Sequence, residues 1–388
     1  IADYEVMPWP ERIYEGLYRT SANSDKKERI PRSYSTQMQV MINTLNDIRT
    51  SDKQISGTHG IGVLMANSLM FQRFPDHNGY DDPQFSSFYG QTLPLLKRGI
   101  PVELVHMENT PFKDTFNGLQ VLVMSYSNMK PMKSEYHNYL ADWVKKGGTL
   151  VYCGEDVDPY QTVLEWWNTE GNAYKAPSEH LFEAMGLSRN PGDGTYRFGK
   201  GTVIVMREDP KHFVLKGGND RKYFETIASA YESKTGKKIE IKNNFMVERG
   251  PYTIAAVMDE SSSKEPLKLS GLYIDLFDKD LPVLTVKQIN PGEQGYLYDL
   301  NKVSGKVKAK VLCGASRIYD EKVGKQSYSF VAKSPLHTTN VSRVLLPRKP
   351  GKVLVNGKAE QPEWDESSKT LLLSFENDPA GVNVSIEW

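Results

Sequence analysis

Leu119-Gln120-Val121-Leu122-Val123-Met124 is a near-continuous apolar run. Ser134 to Lys146 then repeats Tyr136, Tyr139, Leu140 and Trp143 at helical spacing, and Gly147-Gly148 stops it. Thr149-Leu150-Val151-Tyr152-Cys153 is apolar again. A strand that does not alternate with polar residues is buried on both faces. Two such strands joined by a helix form a parallel pair in a sheet covered on both sides.

The same grammar extends outward. Ile61–Met65 reads as a strand after Gly60, and Val102–Val105 as the next. Between them the pattern predicts a helix from Asp81, Asp82 and Pro83 to Lys97, with Phe85, Phe88, Leu93, Leu95 and Leu96 apolar and Gly99 as its stop. Val203–Met206 supplies a fifth strand. Residues 58–215 are therefore expected to be an α/β domain, a doubly wound parallel sheet of flavodoxin-like or Rossmann-like type. A helix near Asp220–Lys234 makes 216–239 a connector.

From 240 to 388 the pattern turns to short strands bounded by Gly, Pro, Asn or Asp. Val355-Asn356-Gly357-Lys358 carries Asn-Gly, the strongest hairpin signal in the chain. This predicts an all-β region, one β-sandwich or two small ones. Residues 1–57 do not read as a domain. Pro8-Trp9-Pro10 opens an extended strap. A helix of about 16 residues follows, with Met38, Met41, Ile42, Leu45 and Ile48 on one face and Ser33 or Ser35 as its cap. One helix and a strap cannot bury themselves, so they are expected to lie against the next domain or a missing one.

Composition limits the function classes. A chain of 388 residues is expected to hold two or three domains. Lys plus Arg and Asp plus Glu both number 48, for zero formal charge. A protein held on nucleic acid by phosphate neutralisation concentrates positive charge, so no nucleic-acid partner is expected. No apolar run approaches the ~20 residues of a membrane span, so no membrane partner is expected. Cys153 and Cys313 cannot build a disulfide framework or a structural zinc site. They do not decide between cytoplasm and periplasm, which leaves a periplasmic or secreted location open. The first residue is Ile, and no signal peptide follows, so the start reads as a processed end or a point inside a longer chain.

In a doubly wound sheet, ligands bind beyond the carboxyl ends of the strands. The richest ends here are Ser125-Tyr126-Ser127-Asn128 and Gly154-Glu155-Asp156-Val157-Asp158-Pro159-Tyr160. Glu155, Asp156 and Asp158 could hold a hard cation, or bond sugar hydroxyls beside Tyr160, Trp166 and Trp167. The same residues also read as a helix N-cap and a solvated acidic loop. His59-Gly60-Ile61-Gly62 puts its glycines before the strand and lacks a third, so it is not a dinucleotide fingerprint. No cofactor is expected. Cys153 ends a strand, but the acids after it would raise a thiol pKa by repulsion. Ser125 and Ser127 lack the Gly-x-Ser-x-Gly elbow. Seven histidines are scattered without a third ligand near any pair, so no metal is expected.

The order of parts is familiar. Gly60-Ile61-Gly62-Val63-Leu64 is followed by Ser86-Ser87-Phe88-Tyr89-Gly90 and by Leu93-Pro94-Leu95-Leu96-Lys97-Arg98-Gly99-Ile100-Pro101-Val102. Then come Leu119 to Tyr126 and Leu140-Ala141-Asp142-Trp143-Val144-Lys145-Lys146-Gly147-Gly148-Thr149-Leu150. This resembles the amidotransferase-like trimerisation domain of family 42 β-galactosidases and related clan-A glycoside hydrolases, over about 58–210 in detail and elsewhere in arrangement only. The resemblance implies a catalytic (β/α)8 barrel first, this domain next and a C-terminal β-domain last, closed by Gly381 to Trp388. Residues 1–57 would be the exit from that barrel. It further implies a carbohydrate substrate of the parent enzyme, a homo-oligomer (trimer or dimer), and an amidotransferase fold without its nucleophile.

No position here matches the family's catalytic acids, so no catalytic residue is assigned. The expected ligand-contacting set is Ser125, Tyr126, Asn128, Glu155, Asp156, Asp158, Tyr160, Trp166 and Trp167. The expected function is that of a non-catalytic C-terminal portion of a glycoside hydrolase-like protein, giving oligomerisation and lending substrate-contacting loops to the parent enzyme. The alternatives are an autonomous hydrolase with its site at these strand ends, or a carbohydrate-binding or scaffold protein.

Overall fold

A computed structural model describes residues 16–48, 53–71, 85–169, 171–215, 219–303, 305 and 307–388. The Pro8–Pro10 strap and the expected helix start at Asp81–Pro83 lie outside them. The chain forms two compact units. One gathers the described part of 1–55 with 246–257 and 265–388, and the other comprises 56–245 and 258–264.

In the first unit, β1 (Leu17–Arg19) and β2 (Lys27–Arg29) form an exposed antiparallel pair. α1 (Arg32–Ile48) and β3 (Lys53–Ile55) follow. Ser33 and Ser35 both lie inside α1, so neither precedes it as a cap. Its buried face is Ser35, Thr36, Gln39, Val40, Thr44 and Ile48. Of the expected apolar face, only Ile48 is fully buried. The helix meets polar backbone: Thr36 Oγ1 donates to Thr339 O at 3.1 Å, and Asn43 Nδ2 to Gly314 O at 3.0 Å. Val40 and Ile48 share a core with Tyr252, Ile274, Tyr296 and Leu312. The helix thus packs on the C-terminal β region.

The second unit runs β4 (Ile61–Met65), α2 (Ser86–Leu96), β5 (Glu103–His106), β6 (Val121–Met124), α3 (Glu135–Lys145), β7 (Thr149–Cys153), α4 (Pro177–Ala184), β8 (Gly194–Phe198), β9 (Gly201–Met206) and α5 (Arg221–Thr235). The sheet order is β5-β4-β6-β7-β9-β8. All neighbours are parallel except the edge strand β8. Successive residues point to opposite faces of a strand, and the two cores follow that rule. Leu122, Met124, Leu150 and Tyr152 pack with Leu140 of α3 and Phe182 of α4 on one face. Val121, Val123, Val151 and Cys153 pack with Leu95 of α2 and Tyr223 and Ile227 of α5 on the other. The connector helix α5 is therefore also a layer of this unit.

Within α3 the expected inward set changes. Tyr136 and Leu140 are buried, Tyr139 is exposed, and His137 is fully buried instead. Trp143 stacks on Phe116 with centroids 5.5 Å apart. A Cβ on Gly148 would lie 2.5 Å from the Trp143 ring, which is why the helix stop needs glycine there. α4 and β8 went unread in the sequence; α4 is eight residues long and β8 is a largely exposed edge.

The remaining strands are β10 (Asn244–Arg249), β11 (Tyr252–Val257), β12 (Leu267–Asp275), β13 (Val283–Ile289), β14 (Gln294–Asp299), β15 (Lys310–Gly314), β16 (Arg317–Val323), β17 (Ser327–Lys333), β18 (Thr339–Leu345), β19 (Lys352–Val355), β20 (Lys358–Glu360), β21 (Glu363–Asp365), β22 (Thr370–Glu376) and β23 (Val382–Glu387). A six-stranded sheet has the order β13-β12-β14-β11-β10-β3. The sheets β15-β18-β22-β21 and β16-β17-β23-β19-β20 share one core, with Val344 and Leu371 from the first and Tyr328, Phe330 and Val384 from the second. That pair is a β-sandwich. Val355 pairs with Lys358 around Asn356 (φ 48) and Gly357 (φ 77), the two-residue loop that Asn-Gly favours. The molecule is thus mixed α/β with further β-rich regions.

Candidate functional site

The loops after β6 and β7 come together, and Lys130 and Asp158 join them. Lys130 Nζ lies 2.7 Å from Asp158 Oδ2, and the two side chains are 9% and 3% exposed. Asp158 also accepts from Tyr160 N at 3.0 Å and Gln161 Nε2 at 2.9 Å, and more weakly from Asn128 N at 3.3 Å. It caps the 3-10 turn Pro159–Thr162, so Asp-Pro opens a turn here as that dipeptide commonly does. The expected solvated loop is not found at this residue. Burial lowers the Lys130 pKa, and the Asp158 charge opposes that shift.

Asp156 has its own cation. Arg207 Nη1, just beyond β9, lies 2.7 Å from Asp156 Oδ2, and Ser178 Oγ donates to the same oxygen at 2.7 Å. Tyr152 OH donates to Oδ1. Arg207 is held in turn by Pro191 O at 2.9 Å and lies over the Phe182 ring, 5.2 Å from its centroid. Burial, then the Asp156 charge, pushes the Tyr152 phenol well above its usual range. Of the three expected carboxylates, only Glu155 is exposed. The other two are neutralised inside the fold.

The other expected residues also lie in or beside this network. Ser125 is buried and its Oγ accepts from Ser127 N at 3.0 Å. Asn128, in the left-handed region at φ 58, donates to Ser87 Oγ at 2.9 Å. Trp166 donates to Pro131 O at 2.9 Å, and Trp167 to Gln161 O at 3.1 Å. Trp167 is fully buried, whereas Trp166 and Tyr160 are half-buried. These contacts tie loops 125–131 and 154–168 to each other.

Tyr126 leads into a chain that the sequence did not suggest. Its OH lies 2.6 Å from His137 Nε2, and His137 Nδ1 lies 2.8 Å from His180 Nδ1. Burial, then the neighbouring His180, holds the His137 pKa well below the imidazole range. His180 is lowered by its own burial. Trp166 edges onto both rings, at 5.6 Å and 5.3 Å. Two of the scattered histidines are thus partners. Among the described residues no group of three His, Cys, Asp or Glu side chains could hold a metal.

Cys153 donates to Glu208 O at 3.1 Å, and burial raises its pKa first, with Glu208 second. The acids that add most to the rise are Glu208, Asp209 and Asp193, not the expected Glu155, Asp156 and Asp158. Such a thiol is not a nucleophile. The residues missed in the sequence are Lys130, Arg207, His137, His180 and Ser178. Arg207 had a signal, since it follows the fifth strand at its carboxyl end.

No protein-family model matches the chain, and no curated protein matches it. Solved structures do. A β-galactosidase from Bacillus circulans sp. alkalophilus aligns over 68% of this chain and 43% of its own, at 11% identity and a TM-score of 0.40. Gan42B, a GH42 β-galactosidase, aligns over 62% of this chain and 40% of its own, at 13% identity and a TM-score of 0.38. A β-galactosidase from the haloarchaeon Halorubrum lacusprofundi aligns over 66% and 42%, at 14% identity and a TM-score of 0.35. The chain spans about two fifths of these enzymes' length.

Proposed function

We propose that this chain is a non-catalytic portion of a glycoside hydrolase-like protein. In this reading residues 58–215, with α5 of the 216–239 connector packed on them as a layer, form a flavodoxin-like, amidotransferase-like association domain, 240–388 form the β region, and 1–57 lead in from a catalytic domain. The parent enzyme acts on a carbohydrate, and the chain associates as a trimer or dimer. One observation carries the reading: two of the three acids at the β7 strand end, where an α/β enzyme keeps its reactive groups, are ion-paired, Asp158 to Lys130 and Asp156 to Arg207. A general acid or base needs reach to a substrate proton, and these two carboxylates are turned inward. The strand order β5-β4-β6-β7-β9 supports the flavodoxin-like assignment.

The test has two arms. The purified chain is assayed on chromogenic glycosides and esters, and its mass is measured by light scattering. No turnover and about three times 43.9 kDa are expected. Turnover abolished by Glu155→Ala would establish an autonomous hydrolase instead. A clean monomer would remove the association role.

A further inference from the structure

A polar cleft lies in the β-rich unit. Helix α1 forms one wall, and β15 and the start of β16 form the other, around a cleft of about 480 Å³. That is within the range of small-molecule sites. The helix wall presents Asn43, Asn46 and Asp47, while the strand wall presents Lys310, Arg317 and Tyr319. Tyr252 OH donates to Asp47 Oδ2 at 2.7 Å and fixes that carboxylate, leaving Oδ1 as an acceptor. Asn43 Nδ2 is used on Gly314 O, which leaves its Oδ1 as an acceptor too.

The side chains of Asn46, Lys310 and Arg317 have no hydrogen bond or ion pair among the described residues. Two unpaired cations thus face one carboxylate that is already engaged. Arg317 offers the planar fork that matches a carboxylate in bidentate fashion. Tyr319 is 44% exposed and offers an apolar ring, with Lys333 Nζ 5.5 Å from its centroid.

We propose that this cleft binds a uronic acid unit of an acidic carbohydrate. Arg317 and Lys310 take the sugar carboxylate. Asp47, Asn43 and Asn46 take its hydroxyls, and the Tyr319 ring lies against its C–H face. The division of labour follows the two walls: cations on the strands, hydroxyl acceptors on the helix. Asp47 argues against a multiply charged phosphate, because its negative charge faces the same space. A neutral sugar would leave both cations without a partner.

Calorimetry or NMR titration of the whole chain with D-glucuronate and digalacturonate tests this. Galactose and inorganic phosphate serve as comparisons. Uronate is expected to bind at least tenfold more tightly than galactose, and Arg317→Gln and Tyr319→Ala should each weaken it tenfold or more. Both residues are exposed, and unchanged melting of each variant checks that the fold is kept. Arg317→Lys, which keeps the charge but loses the fork, should fall between parent and Arg317→Gln. Equal affinity for galactose, phosphate competing as strongly as uronate, or binding indifferent to Arg317→Gln would each overturn the proposal. The readout is binding in the β-rich unit, so its failure leaves the reading of the α/β unit to its own test of turnover and mass.

Discussion

Lys130→Met is the sharpest probe of the strand-end network. It removes one partner of an ion pair whose side chains are 9% and 3% exposed. Removing one member of a buried pair costs about 3–5 kcal/mol, because the other charge stays buried. Asp158 keeps three N–H donors, from Asn128, Tyr160 and Gln161. They stabilise the orphaned carboxylate and place the expected loss near the lower bound, about 3 kcal/mol. For a unit of this size that is a fall in Tm of about 6–12 °C. The double variant Lys130→Met/Asp158→Asn removes both charges and should recover at least about 1 kcal/mol of it. Urea unfolding followed by hydrogen exchange of peptides spanning 119–153 reads the α/β unit separately from the β-rich one. A single variant within about 0.5 kcal/mol of the parent, the range of an ordinary surface substitution, would refute the claim that this pair holds the loops. So would a double variant less stable than the single.

The remaining expectations concern other parts of the molecule. His137 has a folded pKa well below its unfolded value, so below pH ~6.5 the unfolded state binds more protons and the α/β unit loses stability. The slope approaches about 1.4 kcal/mol per pH unit from this residue, and His137→Gln should flatten it in melting curves between pH 7 and 5. Asp156→Ala strands Arg207, which is 19% exposed, and should cost about 3 kcal/mol, whereas Glu155→Ala at an exposed position should stay within about 0.5 kcal/mol in denaturant melts. Gly357 sits at φ 77 with nothing within 4 Å of an added Cβ, so Gly357→Ala should cost about 1 kcal/mol from backbone conformation alone, read as a lowered Tm of the β-rich unit.

The parallel strands were legible because their two-sided burial is written locally. Val121 to Met124 and Thr149 to Cys153 are apolar at every position but one, and no tertiary knowledge is needed to read that. The Asn356-Gly357 loop was legible for the same local reason. β16 was not, since Arg-Ile-Tyr-Asp-Glu-Lys-Val is a charged, exposed edge whose strand state comes from pairing with β17. The face of α1 was misjudged because it meets carbonyls and a serine hydroxyl (Ser334 Oγ, 3.3 Å from Gln39 Oε1), so threonine and glutamine are buried where methionine was expected. At the strand ends the carboxylates could be found but their state could not. Asp156 and Arg207 are 51 positions apart in sequence, and only the parallel pairing of β7 with β9 brings them together. Whether an acid is free or spent is a property of its neighbours across the sheet.

The α/β unit is inserted between two parts of the β-rich unit, and this orders events on the ribosome. Once residues up to about 245 have emerged, the α/β unit has nearly all its strands and helices. Helix α1 has by then been waiting without its partners, since the strands it packs on end at Leu345. At roughly 5–20 residues per second that wait is about 15–60 s. Until β11, β12 and β14 emerge, Val40 and Ile48 lack the core they share with Tyr252, Ile274 and Tyr296, and a nascent chain stalled near residue 245 would present α1 as bait for holding chaperones while its α/β unit is nearly complete.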